Sequence, residues 1–221
     1  MSQELWTAVD NYIVHKMLPA DDSLDQAVRA SDEAGLPSIQ VSPAQGKFLY
    51  ILAKVHHAKR ILEIGTLGGY STIWLARALP EDGRLITMEI DPKHAAVAQS
   101  SLSREGVSNK VELLVGNALD LLPQLEKRSE SPFDLTFIDA DKVSIPAYFE
   151  SALRMSRPGS LILVDNVVRN GAVVDASSHD PSVQGVQKLN DMIADDPRVT
   201  ATVLQTVGIK GYDGLAIALV N

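Results

Sequence analysis

The sequence predicts a single α/β domain built on a mostly parallel, doubly wound sheet, and three observations predict it. Short apolar runs alternate with helical segments from Arg60 to Val164, a pattern typical of parallel strands joined by right-handed crossovers. The first apolar run breaks into a glycine-rich turn and then a helix, as at the end of a strand that cradles a nucleotide-type ligand. Two later apolar runs, 199–206 and 215–219, predict a C-terminal antiparallel hairpin.

Length and composition favour one domain and exclude several classes of protein. The chain has 221 residues, 45% of them hydrophobic, which is enough for one substantial core, so we expect a single domain over residues 1–221. The net charge is −8 without a run of basic residues, so nucleic acid is not an expected partner. The absence of cysteine excludes disulfides and thiolate sites. Without a signal peptide or an apolar stretch of roughly 20 residues, we expect a cytoplasmic protein and no membrane partner.

The first 40 residues predict a helical layer in front of the main fold, which would be a lid or a packing layer. Apolar residues recur at helical spacing in the first segment, and Gly35 and Pro37 close the second. Ser42 is a suitable N-cap, and Pro43 suits the first position of a third helix. The three predicted helices span residues 4–17, 23–34 and 42 to about 56.

The main fold, residues 41–221, follows the alternation of strand and helix. Five strands are predicted at 60–64, 84–89, 111–115, 135–138 and 160–164. Five helices are predicted at 72–78, 91–105, 119–127, 146–153 and 183–193. A polar loop, 166–180, precedes the last helix, and Gly211 to Gly214 are predicted to form the turn of the terminal hairpin.

The turn after the first strand contains Gly65, Gly68 and Gly69. Glycine permits the tight turn and the close backbone approach that a cradled ligand needs. Tyr70 stands where the dinucleotide fingerprint requires its last glycine. This spacing disfavours NAD, although an NAD-dependent dehydrogenase stays an alternative because it would share the sheet.

An acidic residue, Glu89, ends the second strand 24 residues after Gly65. This offset is close to the one at which an acid accepts hydrogen bonds from both hydroxyls of a ribose. A solvated strand-end acid is the alternative interpretation of Glu89 alone. The neighbouring glycine turn favours the ribose.

Oxygen ligands follow two further strands at the same edge of the predicted sheet. Asp139 follows the fourth strand, and Asp165 and Asn166 follow the fifth. Such hard ligands suit octahedral Mg²⁺, and two converging carboxylates would repel unless a cation lay between them. Either acid alone is more often a cap or a turn former. Lys142, close behind Asp139, could reach the same point as a general base, whereas a lone lysine is usually a surface charge.

With these residues in view, the sequence resembles the cation-dependent S-adenosylmethionine O-methyltransferases, the family of catechol O-methyltransferase and caffeoyl-CoA O-methyltransferase. The resemblance runs from about Val41 to the end of the sequence. Asp139 together with Asp165 and Asn166 is its specific part. The motifs that carry it are Leu62-Glu63-Ile64-Gly65-Thr66, Gly69-Tyr70-Ser71, Glu89-Ile90-Asp91, Phe137-Ile138-Asp139-Ala140-Asp141-Lys142, and Asp165-Asn166-Val167 with Asn170-Gly171.

The resemblance implies a Rossmann-like class I methyltransferase fold, S-adenosylmethionine as cofactor and Mg²⁺ or another divalent cation such as Mn²⁺ or Ca²⁺. It implies that Asp139, Asp165 and Asn166 hold the metal. Lys142 would be the base, and Asp139 would also belong to the catalytic residues. The implied cofactor-binding residues are Glu63, Gly65 and Ser71 at the methionine end, Glu89 at the ribose, Asn117 and Ala118 at the adenine, and Val41, Thr66, Gly69 and Asp139 around them.

Two residues depart from the family pattern. Asn117 stands where relatives commonly have Asp, and we expect its carbonyl to accept from the exocyclic amine of adenine. Arg169 stands where plant relatives have a tryptophan, so their substrate preference is not carried over.

The expected activity is Mg-dependent methyl transfer to a hydroxyl of a vicinal diphenol, such as a catechol, a hydroxycinnamate or a flavonoid. The expected partner is thus a small phenolic substrate, and the resemblance also suggests a homodimer. A non-catalytic ligand-binding protein is the second alternative. Such a protein would not need Lys142, Asp139 and Asp165 together.

Overall fold

Seven strands form one sheet in the computed structural model, which describes residues 2–128 and 132–221. They are β1 (Arg60–Ile64), β2 (Arg84–Glu89), β3 (Val111–Val115), β4 (Phe133–Ile138), β5 (Ser156–Asp165), β6 (Val199–Gly208) and β7 (Gly211–Val220). Their order across the sheet is β3-β2-β1-β4-β5-β7-β6. Strands β1 to β5 are parallel, and β7 is antiparallel to both of its neighbours. The predicted doubly wound sheet with a terminal hairpin is confirmed.

Helices occupy the predicted segments. They are α1 (Gln3–Met17), α2 (Asp22–Glu33), α3 (Pro43–Val55), α4 (Tyr70–Ala78), α5 (Pro92–Glu105), α6 (Ala118–Lys127), α7 (Ile145–Arg154) and α8 (Pro181–Asp195). The predicted cap of α3 is present, since the Ser42 hydroxyl accepts from the Gln45 N–H at 3.2 Å and Pro43 begins the helix. In the part of the chain that the structure describes, no helix is both long and apolar enough to cross a bilayer.

Two hydrophobic clusters cover the two faces of the sheet. Successive residues of β1 point to opposite clusters, with Ile61 in one and Leu62 in the other. Phe149 of α7 belongs to the cluster of Leu62, and Ile73 of α4 to that of Ile61. Because helices cover both faces, as is usual for parallel strands, the carboxyl ends of the strands are left to form a ligand site.

The N-terminal helices pack on the outside of the α3–α4–α5 layer. Helix α1 contacts α3 and β6 and has no buried residue, whereas α2 buries Leu24 and Ala27 against α4 and α5. Arg77 of α4 forms ion pairs with Asp21, the N-cap of α2, and with Glu105 of α5. The helices of the predicted lid are therefore fastened to the helical layer, and their role as a lid stays a prediction.

The turn of the terminal hairpin differs from the prediction. Strands β6 and β7 stay paired up to Gly208 and Gly211, so the turn consists of Ile209 and Lys210. Gly214, predicted as a turn residue, lies within β7, where a Cβ would come 2.4 Å from a Val168 side-chain carbon. This glycine permits close packing and does not reverse the chain. A second difference is a short 3-10 segment, Arg169–Val174, inside the predicted polar loop.

Candidate active site

A cavity of about 820 Å³ opens at the carboxyl ends of the parallel strands. Its wall combines the glycine turn after β1, the end of β2, and the segments that follow β3, β4 and β5. Residues predicted for the site that line it are Val41, Gly65, Thr66, Ser71, Glu89, Asn117, Ala118, Asp139, Lys142 and Asn166. The other three, Glu63, Gly69 and Asp165, lie behind this wall.

The glycine turn brings the ends of β1 and β4 together. Gly65 has a φ of +97°, and a Cβ there would lie 2.0 Å from the backbone oxygen of Asp139. The Asp139 N–H donates to the Ile64 carbonyl at 2.9 Å. An alanine at position 65 would thus be strained and would also push Asp139 away.

Glu63 points into the protein and not into the cavity. It is fully buried, and its carboxylate accepts hydrogen bonds from the hydroxyls of Ser71, Thr72 and Thr87 at 2.7, 2.5 and 2.7 Å. Burial raises the pKa of Glu63, and the three hydroxyls act against that rise. The observed contacts make Glu63 an anchor for the start of α4, while the cofactor contact implied by the resemblance stays a prediction. Gly69 likewise faces α5, next to Ala98.

Glu89 is held in the cavity wall by the glycine turn. One carboxylate oxygen accepts from the Leu67 N–H at 2.8 Å, and the other accepts from the Asp91 N–H at 3.0 Å. Leu67 has a φ of +49°, a left-handed conformation that is uncommon for a residue with a side chain. The strained turn thereby fixes the acid at the edge of the cavity.

Asn117 has a second task at the predicted adenine end. Its side-chain carbonyl accepts from the Leu119 N–H at 2.9 Å and caps α6. A carbonyl oxygen has two lone pairs, so one lone pair is left for the contact predicted with adenine. Ala118 follows in the cavity wall.

Polar residues at the ends of β4 and β5 come together at another part of the cavity, with Asp139 and Lys142 in its wall and Asp165 directly behind it. Lys142 Nζ donates to Asp139 Oδ1 at 3.2 Å, and Lys142 is 8% exposed. Asp165 is buried, and its two oxygens accept from the Gln45 side-chain amide at 2.6 Å and from the Asn166 N–H at 2.8 Å. Burial and then the charge of Asp139 raise the pKa of Asp165 to about 7.

This arrangement fits a divalent cation. Two carboxylates and an amide provide hard oxygen donors. The negative charge of Asp139 contributes to the raised pKa of Asp165, and a cation bound between the two carboxylates would relieve this repulsion. Over residues 2–128 and 132–221, His, Cys, Asp and Glu residues form no group of three or more that could hold a metal. A cation at this point would have two acids as ligands, and Asn166, which lines the cavity with a φ of +60°, would have to complete the set.

Several wall residues were not predicted from the sequence. His94 lies beside Glu89, with its Nδ1 3.5 Å from Glu89 Oε1. The Tyr148 hydroxyl donates to Asp141 at 2.5 Å. Gln45 lies behind the wall and was not predicted either, because it contacts Asp165 across 120 positions of sequence and no local pattern reports such a contact.

Comparison with known proteins identifies the family. The family model described as O-methyltransferase matches residues 16–219. The chain belongs to the O-methyltransferase family. Both the sequence-based assignment to these enzymes and the predicted O-methyltransferase activity are confirmed.

Individual O-methyltransferases are similar over the whole chain. A catechol O-methyltransferase of Niastella koreensis is 53% identical, with complete coverage of both sequences. The O-methyltransferase from Bacillus cereus, solved in complex with SAH, is 52% identical with a TM-score of 0.98 and complete coverage of both chains. An O-methyltransferase of Streptomyces achromogenes involved in tomaymycin synthesis, solved with SAM, is 51% identical with a TM-score of 0.97 and covers 100% of this chain and 99% of its own. These matches confirm the predicted methyltransferase fold and support neither a dehydrogenase nor a non-catalytic protein.

Proposed function

We propose that this O-methyltransferase transfers a methyl group from S-adenosylmethionine to one hydroxyl of a vicinal diphenol, with Mg²⁺ or a similar divalent cation. The observation that carries the proposal is the convergence of Asp139, Lys142 and Asn166 on the cavity that also contains Glu89. A cavity of about 820 Å³ lies within the range of about 300 to 1,000 Å³ that small-molecule sites occupy. The proposed partner is accordingly a small phenolic substrate.

The position of Glu89 supports binding of the methyl donor in this cavity. Its carboxylate is fixed by two backbone N–H groups and keeps lone pairs for the two hydroxyls of a ribose. The solved relatives that carry SAH or SAM match the chain over its full length. Bound S-adenosylmethionine would supply an electrophilic methyl group.

Asp139, Asp165 and Asn166 would hold the cation. A bound cation would supply positive charge that favours the deprotonated form of a diphenol, as metals do for water. The Gln45 amide and the Asn166 N–H fix both oxygens of Asp165, which supports a carboxylate that keeps its orientation.

Lys142 would accept the proton of the acceptor hydroxyl at Nζ. The side chain is buried in the cavity wall and lies 3.2 Å from Asp139 Oδ1, which restricts the positions that Nζ can take. Holding the reacting oxygen about 3 Å from the methyl carbon contributes roughly 7 to 11 kcal/mol at best. The hydrogen bonds that fix the Glu89 carboxylate support such positioning.

Turnover of catechol with and without metal tests the proposal. We expect excess EDTA to abolish methylation of catechol and added Mg²⁺ to restore it. Phenol, which has a single hydroxyl, serves as the control substrate and should not be methylated under either condition. Full turnover of catechol in excess EDTA would contradict the role of the cation. Turnover of phenol at the same rate as catechol would contradict the requirement for two neighbouring hydroxyls.

A further inference from the structure

Arg169 brings a cationic group into the wall of the cavity that Asp139 and Asn166 also line. It follows Asn166 by three residues, and both residues line the cavity. Its ion-pair contact is loose, with Nη1 3.9 Å from Asp213 Oδ2. The Nε atom is buried and has no hydrogen-bond partner within residues 2–128 and 132–221. Nε itself is inaccessible to a ligand, but the Arg169 side chain is 34% exposed, so its terminal Nη groups are the donors that a ligand in the cavity could reach.

The backbone holds Arg169 in a conformation that it would not adopt alone. Arg169 and Asn170 have φ values of +56° and +54°, and such residues persist only where the surroundings impose them. Asp213 imposes this conformation, because its Oδ1 accepts from the N–H groups of Val168 and Arg169, both at 2.9 Å. The anchoring is done by backbone contacts, which leaves the guanidinium available for another partner.

The other basic side chains of this wall are already close to acids. Lys142 Nζ lies 3.2 Å from Asp139 Oδ1, and His94 Nδ1 lies 3.5 Å from Glu89 Oε1. Of these three basic side chains, Arg169 has the longest distance to an acid, 3.9 Å to Asp213. A guanidinium presents five N–H donors in a plane and matches a carboxylate in a bidentate manner.

We propose that the acceptor carries a carboxylate on its aromatic ring and that Arg169 binds this carboxylate. The inference rests on the proposed function and narrows its substrate class from vicinal diphenols to those with an anionic substituent. Arg169 is then a specificity-determining residue. It fixes which end of the ring approaches Asn166 and Lys142.

A matched pair of substrates tests this inference. 3,4-Dihydroxybenzoate and its methyl ester both carry the diphenol, and only the acid carries the negative charge. We expect the wild-type protein to have a higher kcat/KM for the acid, and Arg169→Gln to lower the ratio of acid to ester by tenfold or more. Arg169→Lys should retain part of the preference because it keeps the charge. Arg154→Gln, which changes an arginine paired with Glu126 on the surface, should leave the ratio unchanged.

Binding measurements separate this inference from the proposed function. Both compounds can be titrated calorimetrically with Mg²⁺ and S-adenosylhomocysteine present, so this measurement needs no turnover. We expect the wild type to bind the acid more tightly than the ester. In Arg169→Gln we expect this difference in affinity to be lost. An equal loss for acid and ester would assign Arg169 a structural role and overturn the inference. A wild type that prefers the ester would overturn it too. Failure to methylate catechol would instead contradict the proposed function.

Discussion

Glu63 and Glu89 are both strand-end glutamates, yet their neighbours give them different tasks. Three hydroxyls surround Glu63 inside the protein, whereas backbone N–H groups hold Glu89 at the cavity. The hydroxyls reach Glu63 only when α4 and β2 pack around β1. A residue type at a strand end therefore indicates a site, and the packing decides which way the side chain faces.

Replacing Glu89 with glutamine should weaken binding of S-adenosylmethionine. Glutamine has one acceptor oxygen where glutamate has two, and hydrogen bonds to a charged group are worth about 1.5 to 3 kcal/mol. We expect the dissociation constant, measured by calorimetry, to rise about tenfold or more. Glu112→Gln, at an exposed acid paired with Arg128, is the matched control and should bind as the wild type does. Equal affinities of the two variants would show that Glu89 supports the glycine turn and does not bind the cofactor.

The site residues that could be predicted from the sequence are those at or just after the ends of the predicted strands. Glu89, Asp139 and Asn166 could be located because parallel strands end at one edge, and all three line the cavity. The contact of Gln45 with Asp165 could not, since α3 and β5 are far apart in sequence. Arg169 was noticed as a departure from relatives, but its unpartnered Nε depends on tertiary packing.

Helix α8 packs directly against the segment that carries the proposed base. A Cβ at Gly185 would lie 2.0 Å from the backbone oxygen of Lys142. The sequence predicts this helix from its apolar periodicity, and the alternation of elements predicts the sheet. Neither pattern predicts the close contact. In a sequence, a glycine needed for close packing, such as Gly185 or Gly214, cannot be distinguished from a glycine needed for a turn.

Gly185→Ala distinguishes helix propensity from packing by the sign of its effect. Propensity alone would stabilise α8 by about 1 kcal/mol, whereas overpacking against Lys142 should destabilise the protein by about 1 to 3 kcal/mol. We expect a lower free energy of unfolding in urea and a kcat reduced up to about 100-fold, because small misplacements of catalytic groups are costly. Lys188→Ala, on the exposed face of α8, is the control. A stabilised Gly185→Ala would show that α8 can move away from Lys142.

At the scale of the whole molecule, an ion-pair group joins the N-terminal helices to the main fold. Arg77 links Asp21, the N-cap of α2, to Glu105 of α5. Hydrogen bonding from Arg77 lowers the pKa of Asp21 to about 2, although burial acts in the opposite direction. The ionised form of Asp21 is therefore favoured in the folded protein.

This lowered pKa predicts a pH-dependent stability. A carboxyl group with a lower pKa in the folded state stabilises the protein above its unfolded pKa of about 3.8 and loses this contribution as the pH falls towards 2. We expect Asp21→Asn to cost about 1 to 2 kcal/mol in urea unfolding at pH 6, with the difference roughly halved by pH 3. Asp82→Asn, at a fully exposed acid paired with Lys59, is the control and should have little effect at any pH. A difference for Asp21→Asn that grew as the pH fell would contradict the assignment.

Because β7 lies between β5 and β6 in the sheet, the sheet cannot be fully paired until the last strand has been synthesised. Asp165 ends β5 opposite Leu215 of β7, but the ribosome makes α8 and β6 before it makes β7. The nascent chain must therefore keep one edge of β5 unpaired until a strand made later inserts there, and an unpaired edge is a site of aggregation. A nascent chain paused within β6 would contain Asp139, Asp165 and Asn166 and still lack the strand that pairs with Asp165.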